Sequence, residues 1–163
     1  MADSETTIPE ETIEAFLVRI ARRASDPRVV RRLNERAGVE FDRSSWTLLL
    51  RISEHEPVRL SVVADVIGID TSTASRQVSP LIAGGMVRRS PDPADGRALL
   101  HELTDAGRVV LGRMTTAWRS WIEEILDPFD VTERSDLASL LKRLAASIEE
   151  VDRREEAGRS NGT

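Results

Sequence analysis

Helix start and stop signals divide the middle of the chain into three short helices, and this division limits the possible folds more than any other feature of the sequence. Asp42 is placed to cap a first helix, which ends before Glu56-Pro57. We expect Ser61 to cap a second helix that ends at Gly68, and Asp70 to cap a third. Each of these helices is therefore only a few turns long.

A hairpin is predicted after the third helix, which runs to about Ala83 and closes at Gly84-Gly85. From Val87 to Leu103 the sequence predicts two short strands around the polar turn SPDPADGR, because proline and glycine clusters between apolar runs mark a hairpin. Three short helices and a hairpin within about sixty residues are the order of a winged helix-turn-helix lobe, which we place at residues 42–104.

Amphipathic helices are predicted on both sides of this lobe, at about residues 9–38 and 105–154. The lobe can bury its own apolar residues, so the apolar faces of the flanking helices lack a partner unless the chain self-associates. We therefore predict a homodimer whose subunit is a single domain of residues 1–163, mainly α with a small β-wing, and whose flanking segments are N- and C-terminal dimerisation helices. The predicted dimerisation residues are Ile13, Phe16, Leu17, Ile20, Leu137, Leu141, Leu144 and Ile148.

Two residue types that many enzymes and metal sites use, cysteine and histidine, are absent or rare in the sequence. Cysteine is absent, which excludes disulfides, thiolate metal sites, cysteine nucleophiles and thiol-based redox sensing. His55 and His101 are the only histidines, and we interpret both as ordinary surface or core residues. Since no nucleophile elbow, phosphate-binding glycine loop or metal-ligand spacing is found, we predict a protein that is not an enzyme and takes no metal or cofactor.

The N-terminal residues and the lengths of the apolar runs indicate in which cellular compartment the protein lies. The start, MADSETTIPEE, is acidic and polar, whereas a secretory signal needs a basic region followed by an apolar one. No stretch approaches the ~18 consecutive apolar residues of a membrane helix. We expect a cytoplasmic protein.

The net charge of −5 is unusual for a protein that binds nucleic acid, because lysine and arginine supply much of that affinity. Net charge is summed over the whole surface, however, whereas DNA meets only one face. The positive charge is almost all arginine, with Lys142 the only lysine, and arginine suits bidentate contacts to phosphate and guanine. The composition is therefore compatible with a local DNA-binding face.

The segment SVVADVIGIDTSTASRQVSPLIAGGMVRRSPDPADGRALLHELTDAGR, which begins at Ser61, resembles the core of the MarR family over its full length without a gap. The family pattern has a small polar cap before a Ser/Thr-rich helix start, a Ser-Arg pair, a Gly-hydrophobic-Val-basic run, Asp-x-Arg and Leu-Thr-x-x-Gly. The matching pieces are Asp70, Ser72-Thr73, Ser75-Arg76, Gly85-Met86-Val87-Arg88, Asp95-Gly96-Arg97 and Leu103-Thr104-Asp105-Ala106-Gly107. The flanking helices are similar to the family's dimerisation region.

This resemblance implies a sequence-specific transcriptional regulator that binds duplex DNA, and a repressor that a small-molecule effector releases. The twofold symmetry of the predicted homodimer implies that the operator is roughly palindromic. Trp46 and Trp118 are assigned to an effector pocket, with ordinary core packing as the alternative for residues at helical spacing. The residues assigned to the DNA contact are Ser61, Thr71, Ser72, Thr73, Ser75, Arg76, Ser79, Arg88, Arg89, Asp95 and Arg97.

The third helix is the predicted DNA-reading element. Ala74, Val78 and Leu81 are spaced to face the core, so the hydroxyl-rich face points outward, where Arg76 can fork onto a guanine. The alternative is that a Ser/Thr-rich helix start is only good capping chemistry. Pro80 departs from the family pattern, because it removes one helical hydrogen bond and crowds the carbonyl of Arg76, and we expect the helix to bend or end early there. The residues predicted to face outward are Thr71, Ser72, Ser75, Arg76 and Ser79.

The hairpin tip is expected to carry Arg88, Arg89 and Arg97, with Asp92 and Asp95 nearby. A solvated, charge-balanced turn is one interpretation. The resemblance implies instead that Arg97 reaches the DNA backbone or minor groove while Asp95 holds it in place. Two further interpretations stay open, a winged-helix regulator of another family and a winged-helix module for protein–protein contact without DNA binding.

Overall fold

The computed structural model describes residues 10–160, with side chains for residues 12–155. The described chain divides into two compact units, the first ending at Arg119 and the second beginning at Ser120. The predicted single domain also includes residues 1–9 and 161–163, which lie outside the described residues. The elements follow in the order α1 (Glu10–Ala24), α2 (Pro27–Ala37), α3 (Arg43–His55), β1 (Val58–Arg59), α4 (Leu60–Ile67), α5 (Thr71–Ala83), β2 (Val87–Asp92), β3 (Asp95–Leu103), α6 (Asp105–Leu126) and α7 (Val131–Ser160).

The predicted start and stop signals set several helix boundaries of the first unit. The carboxylate of Asp42 accepts a hydrogen bond of 2.7 Å from the amide of Ser45 and so caps the start of α3. Gly68, with a φ of 70°, ends α4 in a left-handed conformation that glycine adopts without a steric penalty. These local predictions are confirmed.

The sheet contains a third strand that the sequence does not predict. β1 consists only of Val58 and Arg59, which pair antiparallel with His101 and Leu100 of β3, so the strand order is β1-β3-β2. The chain passes directly from β1 into α4, and Arg59 takes the N-cap position without a capping hydrogen bond from its side chain. The predicted cap at Ser61 is therefore wrong, because the strand pairing ends one residue before α4 begins and places Ser61 in its first turn.

One apolar core joins α3, α4, α5 and the sheet. Ala74, Val78 and Leu81 of α5 are at most 2% exposed, which confirms the predicted inward face of this helix. Burying a side chain such as Leu81 contributes roughly 1.5–3 kcal/mol to stability. The residues of this core are Leu48, Leu49, Ile52, Val58, Leu60, Val63, Ala64, Ala74, Val78, Leu81, Val87 and Leu103.

α5 continues through Pro80 to Ala83, which confirms the predicted end of this helix, so the expected early end at Pro80 is wrong, and the expected bend there stays a prediction. Pro80 itself is exposed, whereas Leu81 is only 1% exposed and anchors the last turn in the core. The amide of Gly84 donates to the carbonyl of Pro80 at 2.8 Å, and the amide of Met86 donates to that of Leu81 at 2.9 Å. These contacts and the burial of Leu81 offset the amide that proline lacks.

In the second unit, α7 begins with a capping box formed by Asp130 and Glu133. The amide of Asp130 donates to the carboxylate of Glu133 at 2.8 Å, and the amide of Glu133 donates back to Asp130 at 2.9 Å. The helix continues to Ser160, beyond the predicted end at residue 154. None of the helices in residues 10–160 has the length and apolarity that crossing a membrane requires.

Candidate nucleic-acid interface

The start of α5 is organised by the carboxylate of Asp70, the predicted cap. It accepts hydrogen bonds from the amide of Thr73 at 2.8 Å, from the hydroxyl of Thr73 at 2.7 Å and from the hydroxyl of Ser72. The hydrogen bonds from the Ser72 and Thr73 hydroxyls, followed by the Thr73 amide, hold the pKa of Asp70 far below its ordinary value. Asp70 therefore keeps its negative charge to a lower pH than an ordinary aspartate does.

This network decides what Ser72 and Thr73 can offer to DNA. A hydroxyl has one proton to donate, and both residues donate theirs to Asp70, so they present only acceptor lone pairs. One lone pair of Thr73 accepts a hydrogen bond of 3.0 Å from a terminal nitrogen of Arg76. The Arg76 guanidinium is thereby held over the first turn of α5, the part of a recognition helix that meets base edges.

The hydroxyl-rich face is exposed as predicted. The hydroxyl of Ser79 donates to the carbonyl of Ser75 at 2.7 Å, so its proton is also used within the helix. The exposed residues of α5 at the predicted outward positions are Thr71, Ser72, Ser75, Arg76 and Ser79, whereas Thr73 is half-buried.

The prediction that Arg88 and Arg89 lie at the hairpin tip is wrong. The β2–β3 register places Arg88 opposite Glu102 and Arg89 opposite His101, near the base of the hairpin, because the turn itself lies between Asp92 and Asp95. Arg88 Nε lies 2.9 Å from the Glu102 carboxylate. This hydrogen bond and the charge attraction raise the pKa of Arg88 and lower that of Glu102. Arg88 is exposed but paired, so part of its charge is neutralised within the wing, by which we mean β2, β3 and the turn between them.

Two aspartates organise the tip of the wing. One oxygen of Asp92 accepts a hydrogen bond of 2.8 Å from the Ala94 amide, and the other accepts one of 2.7 Å from Arg59 Nε. These contacts, the Ala94 bond first, lower the pKa of Asp92. Asp95 accepts a hydrogen bond of 3.2 Å from the main-chain amide of Arg97, whose side chain is exposed. Asp95 thus holds the backbone at Arg97.

Arg59 is the residue of this site that the sequence does not identify. Its hydrogen-bond partner Asp92 is 33 positions away in the chain. The strand that places Arg59 is only two residues long and has no periodicity to read. A pairing of β1 with β3 would have to be known before Arg59 could be assigned to the wing.

A small cavity in the first unit brings together the two tryptophans assigned to an effector pocket. The ring centroids of Trp46 and Trp118 are 5.4 Å apart at 56°. The cavity has a volume of about 210 Å³, and its lining includes Leu50 and Met114. Two of its lining side chains, Trp46 and Arg51, carry buried N–H groups, at Nε1 and Nε, that have no hydrogen-bond partner. Buried donors without an acceptor are uncommon and call for an explanation.

The two histidines differ in environment. His55 is exposed at the end of α3. His101 is 6% exposed in the middle of the sheet, and its buried Nδ1 has no hydrogen-bond partner, so it is a core histidine that is not fully satisfied. Burial lowers the pKa of His101. Within residues 10–160, no group of three or more histidine, aspartate or glutamate side chains is arranged to hold a metal ion.

Comparison with known proteins adds the family context. The model of the MarR family matches residues 41–99, which span α3 to the middle of β3. The chain is 32% identical over 136 residues to YxaD of Bacillus subtilis, described as an uncharacterized HTH-type transcriptional regulator, and this match covers 83% of this chain and 92% of YxaD.

Solved structures share the fold. A probable transcriptional regulator from Pseudomonas aeruginosa matches with a TM-score of 0.60 and 30% identity, covering 80% of this chain and 95% of that protein. Streptococcus pneumoniae FabT, solved in complex with DNA, matches with a TM-score of 0.71 and 19% identity, covering 88% of this chain and 99% of FabT. At that identity the FabT match shows the fold alone.

Proposed function

The chain belongs to the MarR family of transcriptional regulators, a non-enzymatic family of DNA-binding proteins, and we propose that it represses transcription as a homodimer bound to a roughly palindromic operator. In this proposal α5 enters the major groove and the wing contacts the adjacent backbone or minor groove. Because a transcriptional regulator works where the chromosome lies, we infer that the protein acts in the cytoplasm.

One observation carries the proposed DNA contact: the exposed face of α5 begins at a helix N-terminus that Asp70 caps through the amide of Thr73, and it holds Arg76 over its first turn. A guanidinium that is already restrained loses less freedom when it forks onto a guanine. Asp70 places a negative charge beside this helix start, and its carboxylate accepts three hydrogen bonds from Ser72 and Thr73 that partly offset this charge. Base-edge contact by Arg76 fits this arrangement.

Exposed apolar side chains support the homodimer. On α1, Ile13, Phe16, Leu17 and Ile20 are 40–63% exposed, which is costly for a helix that faces only water. On α7, Leu141 and Ile148 are 52% and 53% exposed, whereas Leu137 and Leu144 are half-buried. A second copy of the chain would cover these faces. Twofold symmetry would then match half-sites about one helical turn, ~34–36 Å, apart.

We propose that an effector binds in the Trp46–Trp118 cavity. Its volume of about 210 Å³ lies below the roughly 300–1,000 Å³ of sites for drug-sized ligands, so the effector would be small. The two tilted rings favour an aromatic or apolar body, and the unpaired N–H groups of Trp46 and Arg51 favour a ligand with a hydrogen-bond acceptor. An effector that weakens DNA binding must itself bind less well to the DNA complex.

A gel shift with duplexes tiled across the protein's own promoter region tests the proposed function. We expect one duplex to bind much more tightly than the others, with an affinity that falls steeply as salt increases, because phosphate contacts release counterions. Equal affinity for all duplexes would contradict an operator. Absence of any shift at low salt would favour the alternative of a winged-helix module for protein contact.

Quenching of tryptophan fluorescence tests the effector site. A panel of small aromatic compounds, with and without a carboxylate, is titrated into the free protein and into the operator complex. We expect at least one compound to quench the fluorescence and to bind the free protein more tightly than the complex. Quenching that persists unchanged in a Trp46→Phe variant would place the compound elsewhere.

A further inference from the structure

Arg59 links the body of the winged-helix lobe to the turn of the wing, and we infer that it is a positioning residue for DNA binding. It holds the turn, and with it Arg97, in the orientation that contacts DNA. The inference rests on the proposed contact between the wing and DNA. It assigns this function to a residue that is not part of the short sequence motifs by which the chain resembles the MarR family.

The contacts of the Arg59 guanidinium reach both sides of the turn. Its Nε and one terminal nitrogen lie 2.7 and 2.6 Å from the same oxygen of Asp92, and its other terminal nitrogen lies 3.7 Å from Asp95. Each aspartate uses its second oxygen to accept a main-chain hydrogen bond, from Ala94 and from Arg97 respectively. A continuous chain of contacts therefore runs from β1 to the backbone of Arg97.

The geometry of the sheet explains why the turn needs this link. β1 pairs only with Leu100 and His101, so β3 has a single neighbour, β2, between Leu100 and the turn. The register of that ribbon is interrupted between Pro91 and Asp92. A two-stranded ribbon is marginally stable in water and can twist, so pairing alone does not fix the position of the turn. Arg59 supplies a side-chain anchor beyond the end of β1.

The Arg59–Asp92 ion pair is more buried than the Arg88–Glu102 ion pair at the base of the wing. The Asp92 side chain is only 10% exposed and that of Arg59 is 42% exposed, whereas the Arg88 side chain in the pair with Glu102 is 65% exposed. Charged hydrogen bonds with an arginine fork are stronger and more directional where water is partly excluded. Because Arg59 stays partly in water, we expect its loss to loosen the wing without unfolding the lobe.

The test is an Arg59→Met variant, which keeps much of the side-chain length and removes the guanidinium. In the DNA-free protein we expect the amides of Ala94 and Arg97 to exchange with solvent about tenfold faster or more. We expect DNA affinity to fall about tenfold at all sequences, and Arg59→Met to cost almost nothing further in an Arg97→Ala background. Equal losses in both backgrounds would overturn the inference, because Arg59 would then contact DNA itself.

Asp92→Asn gives the second test, because it removes a negative charge where Arg59→Met removes a positive one. Removing a carboxylate from a DNA-binding face should tighten binding by simple attraction, but we expect weaker binding because the anchor is lost. Tighter binding by Asp92→Asn with unchanged amide exchange would overturn the inference. This variant also serves if Arg59→Met fails to fold.

Arg154→Met is the matched control, because it removes an arginine that pairs with Glu150 at 2.9 Å on α7. We expect it to leave wing exchange and DNA affinity unchanged. An equal loss of affinity in Arg154→Met would overturn the inference by showing a general charge effect. If the wild-type protein bound no duplex, the proposed function would fail, whereas amide exchange in the free protein would still test whether Arg59 holds the turn.

Discussion

A β-carbon added to Gly107 would lie 2.1 Å from the carbonyl oxygen of Met86. The first turn of α6 packs this closely on the segment before β2, and Thr104 fixes the contact by donating its amide to the same carbonyl at 2.9 Å. The hydroxyl of Thr104 also accepts the amide of Gly107 at 3.1 Å. The Leu-Thr-x-x-Gly motif is thus a packing joint between the wing and α6.

Gly107→Ala is expected to destabilise the protein. In an ordinary helix this change stabilises by about 1 kcal/mol, but here the added carbon must displace backbone, for which overpacking costs of typically 1–3 kcal/mol are known. Urea denaturation measures the change in free energy of unfolding.

Gly112→Ala on the same helix is the control, because a β-carbon there has no heavy atom within 4 Å. We expect Gly112→Ala to be neutral or to stabilise by roughly 0.5–1 kcal/mol. Equal effects of the two substitutions would contradict the close contact between Gly107 and Met86.

Replacing Arg76 and replacing Arg97 by alanine are expected to weaken DNA binding in different ways. Arg76→Ala should cost about 1–3 kcal/mol of operator binding and relax the base preference at one position, as loss of a bidentate base contact does. Arg97→Ala should weaken binding to all sequences and reduce the salt slope by about 1, as loss of a phosphate contact does. Binding isotherms over a salt series, with operator variants, separate the two.

Asp95→Ala tests whether Asp95 acts on DNA binding through its negative charge or through its hydrogen bond to the backbone of Arg97. Loss of a negative charge near DNA favours binding, but Asp95 holds the main-chain amide of Arg97 and lies 3.7 Å from Arg59. We expect weaker binding, because the position of Arg97 depends on those contacts. If Asp95→Ala bound more tightly with an unchanged melting temperature, Asp95 would have no positioning role.

Stability is expected to fall as the pH is lowered from about 7 to 5, because His101 is buried without a partner for Nδ1. Its pKa in the folded protein lies below the ordinary value of 6.5, so the unfolded chain binds the proton more readily. Stability from this group is therefore fully present above pH 6.5 and decreases below it, until the folded pKa is passed.

Thermal unfolding at several pH values measures this effect. Replacing the imidazole by a group that does not titrate, in His101→Gln, should flatten the pH dependence between 7 and 5. His55→Gln, which changes an exposed histidine, should retain it. A pH dependence that survives in His101→Gln would assign it to other groups.

A charge placed on the exposed apolar face of α1 is expected to dissociate the dimer. Ile20 is 63% exposed, so Ile20→Glu should be tolerated by a monomer but would place a charge inside a dimer interface. Sedimentation equilibrium at micromolar concentration should show a dimer for the wild type and a monomer for Ile20→Glu. Val62→Glu, at a position 45% exposed on α4, should remain dimeric. A monomeric wild type would reject the dimer.

Features with local causes can be predicted from the amino-acid sequence alone. The carboxylates of Asp42, Asp70 and Asp130 cap helices because each accepts a hydrogen bond from a main-chain amide three residues further along the chain. The inward face of α5 follows from helical spacing alone. Such contacts are present in any fold that contains the helix, so a single sequence is enough to predict them.

Contacts between distant segments depend on how the whole chain folds. β1 exists because β3 offers it a partner, and Arg59 meets Asp92 across 33 positions. The strand register also moved Arg88 and Arg89 from the expected tip to the base of the hairpin, and the burial of Leu81 carried α5 past Pro80. Each of these features depends on which surfaces pack together, because strand pairing and burial are properties of the folded chain that local propensities do not encode.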